Sequence, residues 1–360
     1  MSTVEEQLLD IEKEIRETPY HKGTEHHIGM LRARISRLKD KLIEKSSKKG
    51  GGGGGYAVKK QGDATVILIG PPSAGKSTLI NKLTNARSKV APYAFTTVSV
   101  IPGMMVYKNS RIQILDVPGL IEGAEEGKGR GREVLSVARG ADLIVLLTDT
   151  KRVEAIERIS KTLERNGIRI NVSKPKVIID KKLSGGITVH TNIRQDLSKE
   201  TIKQVAMELG IKNAEITINE KLTIERLIDS FSRNRVYLPA ISVINKADVL
   251  NNFQKEDKNN DKTIFISAEK NINLDKFKEE IWNTLGFMTI YLVRQDDQPS
   301  FDNPLIMRVG QRLSDVSQSI GTEFAQEKKR AKIWGTGAKF PGQEVSLSTH
   351  IQEGMQVRFI

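Results

Sequence analysis

The run Gly70-Pro71-Pro72-Ser73-Ala74-Gly75-Lys76-Ser77 fits G-x-x-x-x-G-K-[ST], a spelling suited to holding phosphates. Glycines let backbone N–H groups approach phosphate oxygens with no side chain in the way. A helix that opens here turns its free amides toward negative charge. Lys76 is expected to reach the β- and γ-phosphates, and the Ser77 hydroxyl to hold Mg²⁺. The adjoining Thr78 completes the expected binding set. ATPases and small-molecule kinases share the spelling, so the loop alone leaves the base open.

Asn245-Lys246-Ala247-Asp248 answers that question. Guanine offers N1–H and N2–H₂ donors along one edge, and the Asp248 carboxylate accepts both. Adenine lacks that pair and leaves the carboxylate desolvated without a partner. Asn245 is expected to bridge the base and the phosphate loop, and the Lys246 stem to cover the ring. Ser267-Ala268-Glu269 is expected to close over the base with backbone amides. GTP and GDP are therefore the expected ligands. In Asp116-Val117-Pro118-Gly119, Asp116 is expected to hold Mg²⁺ through water and the Gly119 amide to sense the γ-phosphate. Phe95-Thr96-Thr97 lies between the phosphate loop and Asp116. A threonine here coordinates Mg²⁺ only when the γ-phosphate is present, which orders its loop. That argument does not choose between Thr96 and Thr97.

Ras-like switches place a glutamine after DxxG to orient the attacking water. Leu120 stands there instead and cannot polarise water. Hydrolysis is expected to be slow, resting on Mg²⁺, Lys76 and backbone amides. Two readings of Arg130, Arg132 and Arg139 stand: a cation supplied in cis, or surface and RNA-facing charge. Gly123, Gly127, Gly129 and Gly131 predict a mobile second switch.

These groups need a frame that brings them to one edge. Thr65–Ile69, Ile112–Leu115, Leu143–Leu147, Ala240–Ile244 and Thr263–Ile266 are short apolar runs, each followed by one of the motifs or by a helix. Strands alternating with helices predict an α/β domain with a mostly parallel sheet covered on both faces. In such sheets ligands bind at the carboxyl ends of the strands. The expected G domain spans residues 64–150 and 236–288. Residues 151–235 hold too many helix and strand patterns for one crossover and read as an inserted subdomain. Residues 289–360 read as a small β-rich domain. In 1–49, apolar residues recur at helical spacing on either side of a break around Thr18–Thr24. This predicts a helical hairpin that packs on a partner or on its own chain. Gly50–Gly55 lie in the 50–63 stretch, read as a flexible linker or as a packed glycine segment.

The chain has 360 residues, 38 % of them hydrophobic, enough for packed cores. A formal charge of +13 favours polyanions such as RNA, an anionic membrane face, or simply a solvated basic surface. Lys328-Lys329-Arg330-Ala331-Lys332, Lys174-Pro175-Lys176 and Lys181-Lys182 concentrate that charge. With no cysteine, disulfides and thiolate metal sites are excluded. No apolar run reaches the roughly 18–20 residues that cross a bilayer. The opening Met1-Ser2-Thr3-Val4-Glu5-Glu6 lacks signal-peptide features. A soluble cytoplasmic protein is expected, with no membrane role and no DNA specificity evident.

The stretches GPPSAGKSTLINKLTN, APYAFTT, ILDVPGLIEGAEEGKGRGREVLSVARGADLIV and NRVYLPAISVINKAD resemble the developmentally regulated GTP-binding proteins of the Obg superfamily. The likeness covers nearly the whole chain. It implies a P-loop GTPase (Ras-like G domain) with an inserted α+β subdomain like ribosomal-protein S5 domain 2. It also implies an N-terminal helical region and a C-terminal β-grasp TGS domain, carried by FDNPLIMRVGQRLSDV and HIQEGMQVRFI. Thr97 is preferred over Thr96 by this resemblance. The catalytic set is then Lys76, Thr97 and Gly119, and the metal set Ser77, Thr97 and Asp116. The resemblance further implies a translation-associated GTPase that contacts ribosomes or RNA, with a stabilising partner protein in eukaryotes. The family usually has a bulky apolar residue at Pro71 and valine at Ala74; neither supplies a required side chain. Ser73 stands where some related GTPases carry an asparagine that recruits K⁺, which leaves potassium dependence open.

Other classes predict other features. A P-loop kinase needs no Asp248, and a lipidated signalling switch needs a cysteine this chain lacks. An RNA-binding protein with a vestigial site would not need Lys76, Ser77, Asp116 and Asp248 together.

Overall fold

The computed structural model describes residues 3–48, 61–84, 91–92, 99–117, 130–232, 234–250, 263–294 and 298–360. The described chain divides into two compact units, each built from two separate stretches of sequence.

The larger unit holds Ala57–Thr162 and Leu238–Ile360. Its main sheet has seven strands in the order Thr263–Phe265, Ala240–Asn245, Leu143–Asp149, Ala64–Ile69, Ser110–Asp116, Ser99–Tyr107 and Ala91–Pro92. The first five run parallel. Ala64–Ile69 and Leu143–Asp149 are buried at every position, as strands with both faces covered must be. Leu79, Ile80 and Leu83 of the helix Lys76–Leu83 share one apolar cluster with Val66, Ile112 and Val145. Leu274, Phe277 and Ile281 of the helix Leu274–Thr284 complete it. Register then aligns the carboxyl ends: Leu68 lies opposite Asp116, and Asn245 opposite Asp149.

The strand Ser99–Tyr107 falls outside the expected apolar runs because Pro102 and Gly103 interrupt its pattern. It pairs antiparallel with Ser110–Asp116 as a hairpin. Gly103 is needed there: a Cβ would lie 2.8 Å from Cγ2 of Ile80 and 2.7 Å from Cγ2 of Thr84. The helix that opens at the phosphate loop can therefore sit close on the sheet.

A second sheet in this unit has the order Pro304–Arg308, Phe287–Leu292, Gln356–Phe359, Arg330–Trp334 and Gln343–Ser346. Phe287–Leu292 and Gln356–Phe359 are parallel; the other pairings are antiparallel. Leu313 and Val316 of the helix Leu313–Ile320 fill its core. The sheet begins at Phe287, just after Gly286 with φ +65°, rather than at the expected 289. It is tied to the first sheet by Trp282, which meets Phe287 edge-on at 5.5 Å, and by Arg308, 3.2 Å from Asp142.

The smaller unit joins Met1–Tyr56 to Leu163–Tyr237. This corrects two expected boundaries. The hairpin 1–49 and the insertion 151–235 form one body, and the insertion's side begins at Leu163, inside the helix Ala155–Arg165. The physical reason is a shared core. Ala33 of the helix Glu25–Lys48 lies in one cluster with Ile202, Val205 and Leu227. That cluster backs a three-stranded sheet, Val177–Lys181, Ala214–Ile218 and Ile187–Thr191 in spatial order. Two strands of three residues, Ile168–Ile170 and Val236–Leu238, pair separately and are too short to announce themselves as apolar runs. Asp229 is buried and accepts from Arg169 at 2.6 and 2.7 Å and from Arg235 at 2.8 Å. Arg235 also donates to Ser36 at 2.7 Å and faces Asp40 at 3.4 Å, fixing the long N-terminal helix.

Candidate nucleotide site

The phosphate loop joins Ala64–Ile69 to the helix Lys76–Leu83, and its glycines are sterically required. A Cβ on Gly70 would lie 1.9 Å from the Leu147 carbonyl oxygen of the neighbouring strand. Gly75 has φ +91°, and a Cβ there would lie 2.3 Å from Nδ2 of Asn245. Ser73 adopts φ +59°, a left-handed corner unusual for a residue with a side chain. Pro71 and Ala74 are buried, while Pro72, Ser73, Ser77 and Thr78 are exposed.

Lys76 is folded over the loop and donates to the carbonyls of Gly70 at 3.0 Å and Pro71 at 3.1 Å. Burial pulls its pKa below the ordinary lysine value; Asp116 opposes this and Arg152 adds to it. A phosphate beside Lys76 would restore the charged form. Ser77 Oγ donates to Asp116 Oδ2 at 2.9 Å. Asp116 is buried, and its Oδ1 has no hydrogen-bond partner. Burial pushes its carboxyl pKa up, against Lys76 and the Ser77 hydrogen bond. A hard divalent cation fits this donor set: a hydroxyl beside an incompletely satisfied carboxylate, next to a phosphate cradle.

Asn245 ends its strand and joins two loops. Its Nδ2 donates to the Ala74 carbonyl at 2.9 Å, and its Oδ1 accepts from the Ala268 amide at 3.0 Å. The contact with the phosphate loop is one half of the bridge expected between loop and base, and the same side chain also grips the Ser267-Ala268-Glu269 segment. Lys246, at φ +59°, donates to the Ser73 carbonyl at 2.7 Å. Hydrogen bonding with Ser267 is the main cause that holds the Asp248 carboxyl below the usual range, and Lys270, at 3.2 Å, adds to it. Ser267 also accepts from the Lys270 amide at 3.2 Å, while Glu269 is exposed. Gly70 to Thr78, Asp116, Asn245 to Asp248 and Ser267 to Glu269 thus all lie at the carboxyl ends of parallel strands or in the segments that follow them.

Thr96, Thr97, Gly119 and Leu120 lie outside the described residues, as do the glycines Gly50–Gly55, Gly123, Gly127 and Gly129. Arg139 closes the helix Arg130–Arg139 and is half-buried. Two residues at the site carry no motif and escaped the sequence reading. Asp149, at the end of Leu143–Asp149, is bound by Arg152 at 2.7 Å, and Arg152 also donates to the Pro72 carbonyl at 2.9 Å. The available signal was positional: an acidic residue at a strand's carboxyl end, opposite Asn245.

Comparison with known proteins agrees with this geometry. A family model described as "50S ribosome-binding GTPase" matches residues 65–182, and one for the C-terminal region of the same domain matches 184–287. An uncharacterised GTP-binding protein of Methanocaldococcus jannaschii is 44 % identical over 98 % of this chain and 91 % of its own. Human developmentally-regulated GTP-binding protein 2 is 38 % identical over 97 % of this chain and 96 % of its own. GTP-binding protein 1 of Schizosaccharomyces pombe is 38 % identical over 99 % and 98 %. The chain belongs to the developmentally regulated GTP-binding protein family.

In this member of the family the G domain is a P-loop GTPase domain of mixed α/β structure, and the chain is a GTP-binding protein. Among the described residues, no helix is long and apolar enough to cross a membrane.

Proposed function

We propose that the chain is a slowly hydrolysing GTP switch that acts on ribosomes or RNA. The observation that carries the nucleotide half is Asn245, whose one side chain spans Ala74 and Ala268 beside Asp248. That arrangement couples base readout to phosphate grip. Lys76 neutralises charge on the β- and γ-phosphates, and the helix N-terminus behind it adds amides. Ser77 and Asp116 are the described residues that would hold Mg²⁺, with Thr97 as the third. When bound, Mg²⁺ supplies positive charge against the phosphate oxygens. Leu120 offers no hydrogen bond to a water, so turnover depends on these cations and amides and is slow.

The ribosome half rests on the formal charge of +13 and on the family model's own description. Part of that charge is offset locally: Arg330 and Lys332 face Glu344 at 3.8 and 3.5 Å, and Lys182 faces Asp180 at 2.7 Å. We read the five-stranded sheet as a TGS-like module and the three-stranded sheet as an S5 domain-2-like one. The setting we infer is cytoplasmic, with a stabilising partner protein as a further associate.

Sedimentation with ribosomal subunits, in a GTP analogue against GDP and across salt, tests the switch. Nucleotide-dependent co-sedimentation that weakens as salt rises is the expected result. Absence from the ribosomal pellet in both nucleotide states would overturn the translation reading. Asp248→Asn is expected to weaken GTP and favour xanthosine triphosphate; an unchanged base preference would overturn the role of Asp248. Comparing turnover in K⁺ and Na⁺ decides whether a monovalent cation takes part.

A further inference from the structure

Asp149 has only 7 % of its side chain exposed. Arg152 grips it, with Nη2 at 2.7 Å from Oδ2 and Nε at 3.4 Å from Oδ1. The same Nη2 donates to the Pro72 carbonyl at 2.9 Å. Lys246 Nζ stands 3.6 Å from the same Asp149 Oδ2 while donating to the Ser73 carbonyl at 2.7 Å. One buried carboxylate therefore anchors two cations, and those cations hold two successive carbonyls of the phosphate loop. Between the two lies the left-handed corner at Ser73, which a residue with a side chain does not adopt freely.

The turn that carries Arg152 is itself pinned. Thr148 Oγ1 donates to the Arg152 carbonyl at 2.7 Å. The Lys151 amide donates to Asp149 Oδ1 at 3.2 Å, and the Arg152 amide to the Asp149 carbonyl at 3.1 Å. The guanidinium thus starts from a fixed base, and its planar fork can serve the carboxylate and the carbonyl together.

We propose that Arg152, held by Asp149, is a positioning residue that keeps the Pro72–Ser73 corner in its phosphate-wrapping shape and thereby sets how long nucleotide stays bound. It acts through the loop backbone. The inference rests on the nucleotide-site reading above and adds to it the residue that governs release. A simpler role, neutralising the buried Asp149, makes a different prediction. Arg152→Lys keeps a positive charge beside Asp149 but replaces the fork with a point donor on a flexible stem. Neutralisation alone predicts wild-type behaviour from that variant; the staple predicts loss.

The test is stopped-flow release of a fluorescent GDP analogue from the full chain, with thermal unfolding of each nucleotide-free variant alongside. Arg152→Ala is expected to release GDP about tenfold faster, the effect of losing one hydrogen bond to a charged group. Arg152→Lys is expected to lie between Ala and wild type, at about threefold by the same conversion. For both, KM for GTP rises by more than kcat falls. Adding Asp149→Asn to Arg152→Ala is expected to cost less than the two single effects combined, because the residues act as a unit. If Arg152→Ala does not fold, Arg152→Lys and Asp149→Asn carry the test. Release from Arg152→Lys at the wild-type rate overturns the staple while leaving the site reading intact. A wild-type chain that holds no guanine nucleotide overturns the site reading, and the staple with it.

Discussion

Two buried aspartates mark the two compact units, and they are treated in opposite ways. Asp116 and Asp229 are almost equally hidden, at 4 % and 7 % exposure. Asp229 is saturated: two arginines give it three short hydrogen bonds, and one of them is held in turn by Ser36. Asp116 receives one hydroxyl, has the Lys76 charge nearby, and keeps Oδ1 unpartnered. A buried charge that only supports a fold needs every lone pair met, since an unmet one is costly. A buried charge left incomplete is stabilising only when something else binds. The contrast separates a carboxylate completed within its own unit from one left open for a ligand, without reference to any motif.

The largest expected break of that contrast is Asp229→Ala. It leaves Arg169 and Arg235 facing each other with their shared anion gone, and is expected to cost about 3–5 kcal/mol of stability. Denaturant titration followed by circular dichroism measures it. Asp116→Asn, at equal burial, should change the stability of the nucleotide-free protein by under about 1 kcal/mol, because it removes a poorly satisfied charge. Equal losses from the two variants would show that the difference in partners does not matter.

Next in size is the binding effect of Asp116→Asn. On the role proposed for Asp116, orienting metal-bound water, the variant is expected to weaken Mg²⁺-dependent GTP affinity about 10- to 100-fold. Titrating GTP with and without Mg²⁺ separates this from any loss of affinity that is independent of the metal.

The smallest expected effect is on pH dependence. The Asp116 pKa is raised in the folded state, so its ionisation is penalised there. Its contribution to the stability of the nucleotide-free protein falls as pH rises from about 3.8 through the folded value, and is lowest above it. The Asp149 pKa is lowered, chiefly by its hydrogen bond from Arg152. Its contribution is present above about 3.8 and is lost as pH falls through its folded value. Acidification should also weaken Mg²⁺-dependent GTP binding as Asp116 takes up its proton. Measuring that affinity as pH is lowered, in wild type and Asp116→Asn, is expected to show the larger loss in wild type, the titration of the phosphates being common to both.

The legible parts of this molecule are those where one residue type is forced. Gly70 and Gly75 are spelled in the sequence because a Cβ would strike Leu147 or Asn245. Asn245 is spelled because its short amide carries a donor and an acceptor on separate atoms, one for the Ala74 carbonyl and one for the Ala268 amide. The central strands read clearly because both faces are covered. Ser99–Tyr107 did not, since Pro102 and Gly103 break its pattern, and the reason for Gly103 lies in Ile80 and Thr84 of the neighbouring helix and its cap. Arg152 did not, because its partner on the phosphate loop is a backbone carbonyl, which imposes no pattern on the sequence, and Asp149 did not, because it meets the loop only through Arg152 and Lys246. The shared body of residues 1–56 and 163–237 was hidden for a similar reason: a helical stripe shows that it must be covered, not by what.

That shared body also sets a timetable for synthesis. The helix Glu25–Lys48 buries Ile28, Leu31 and Ala33 in a unit whose other half starts at Leu163. From residue 56 to residue 163 the growing chain adds 107 residues, roughly 5–20 s at about 5–20 residues per second. For that interval the surface the helix belongs to does not yet exist, and the phosphate loop, residues 70–77, is made in the meantime. The segment made first is thus housed only after more than a hundred later residues have been made, and until then its apolar stripe lacks the partners it has in the finished protein.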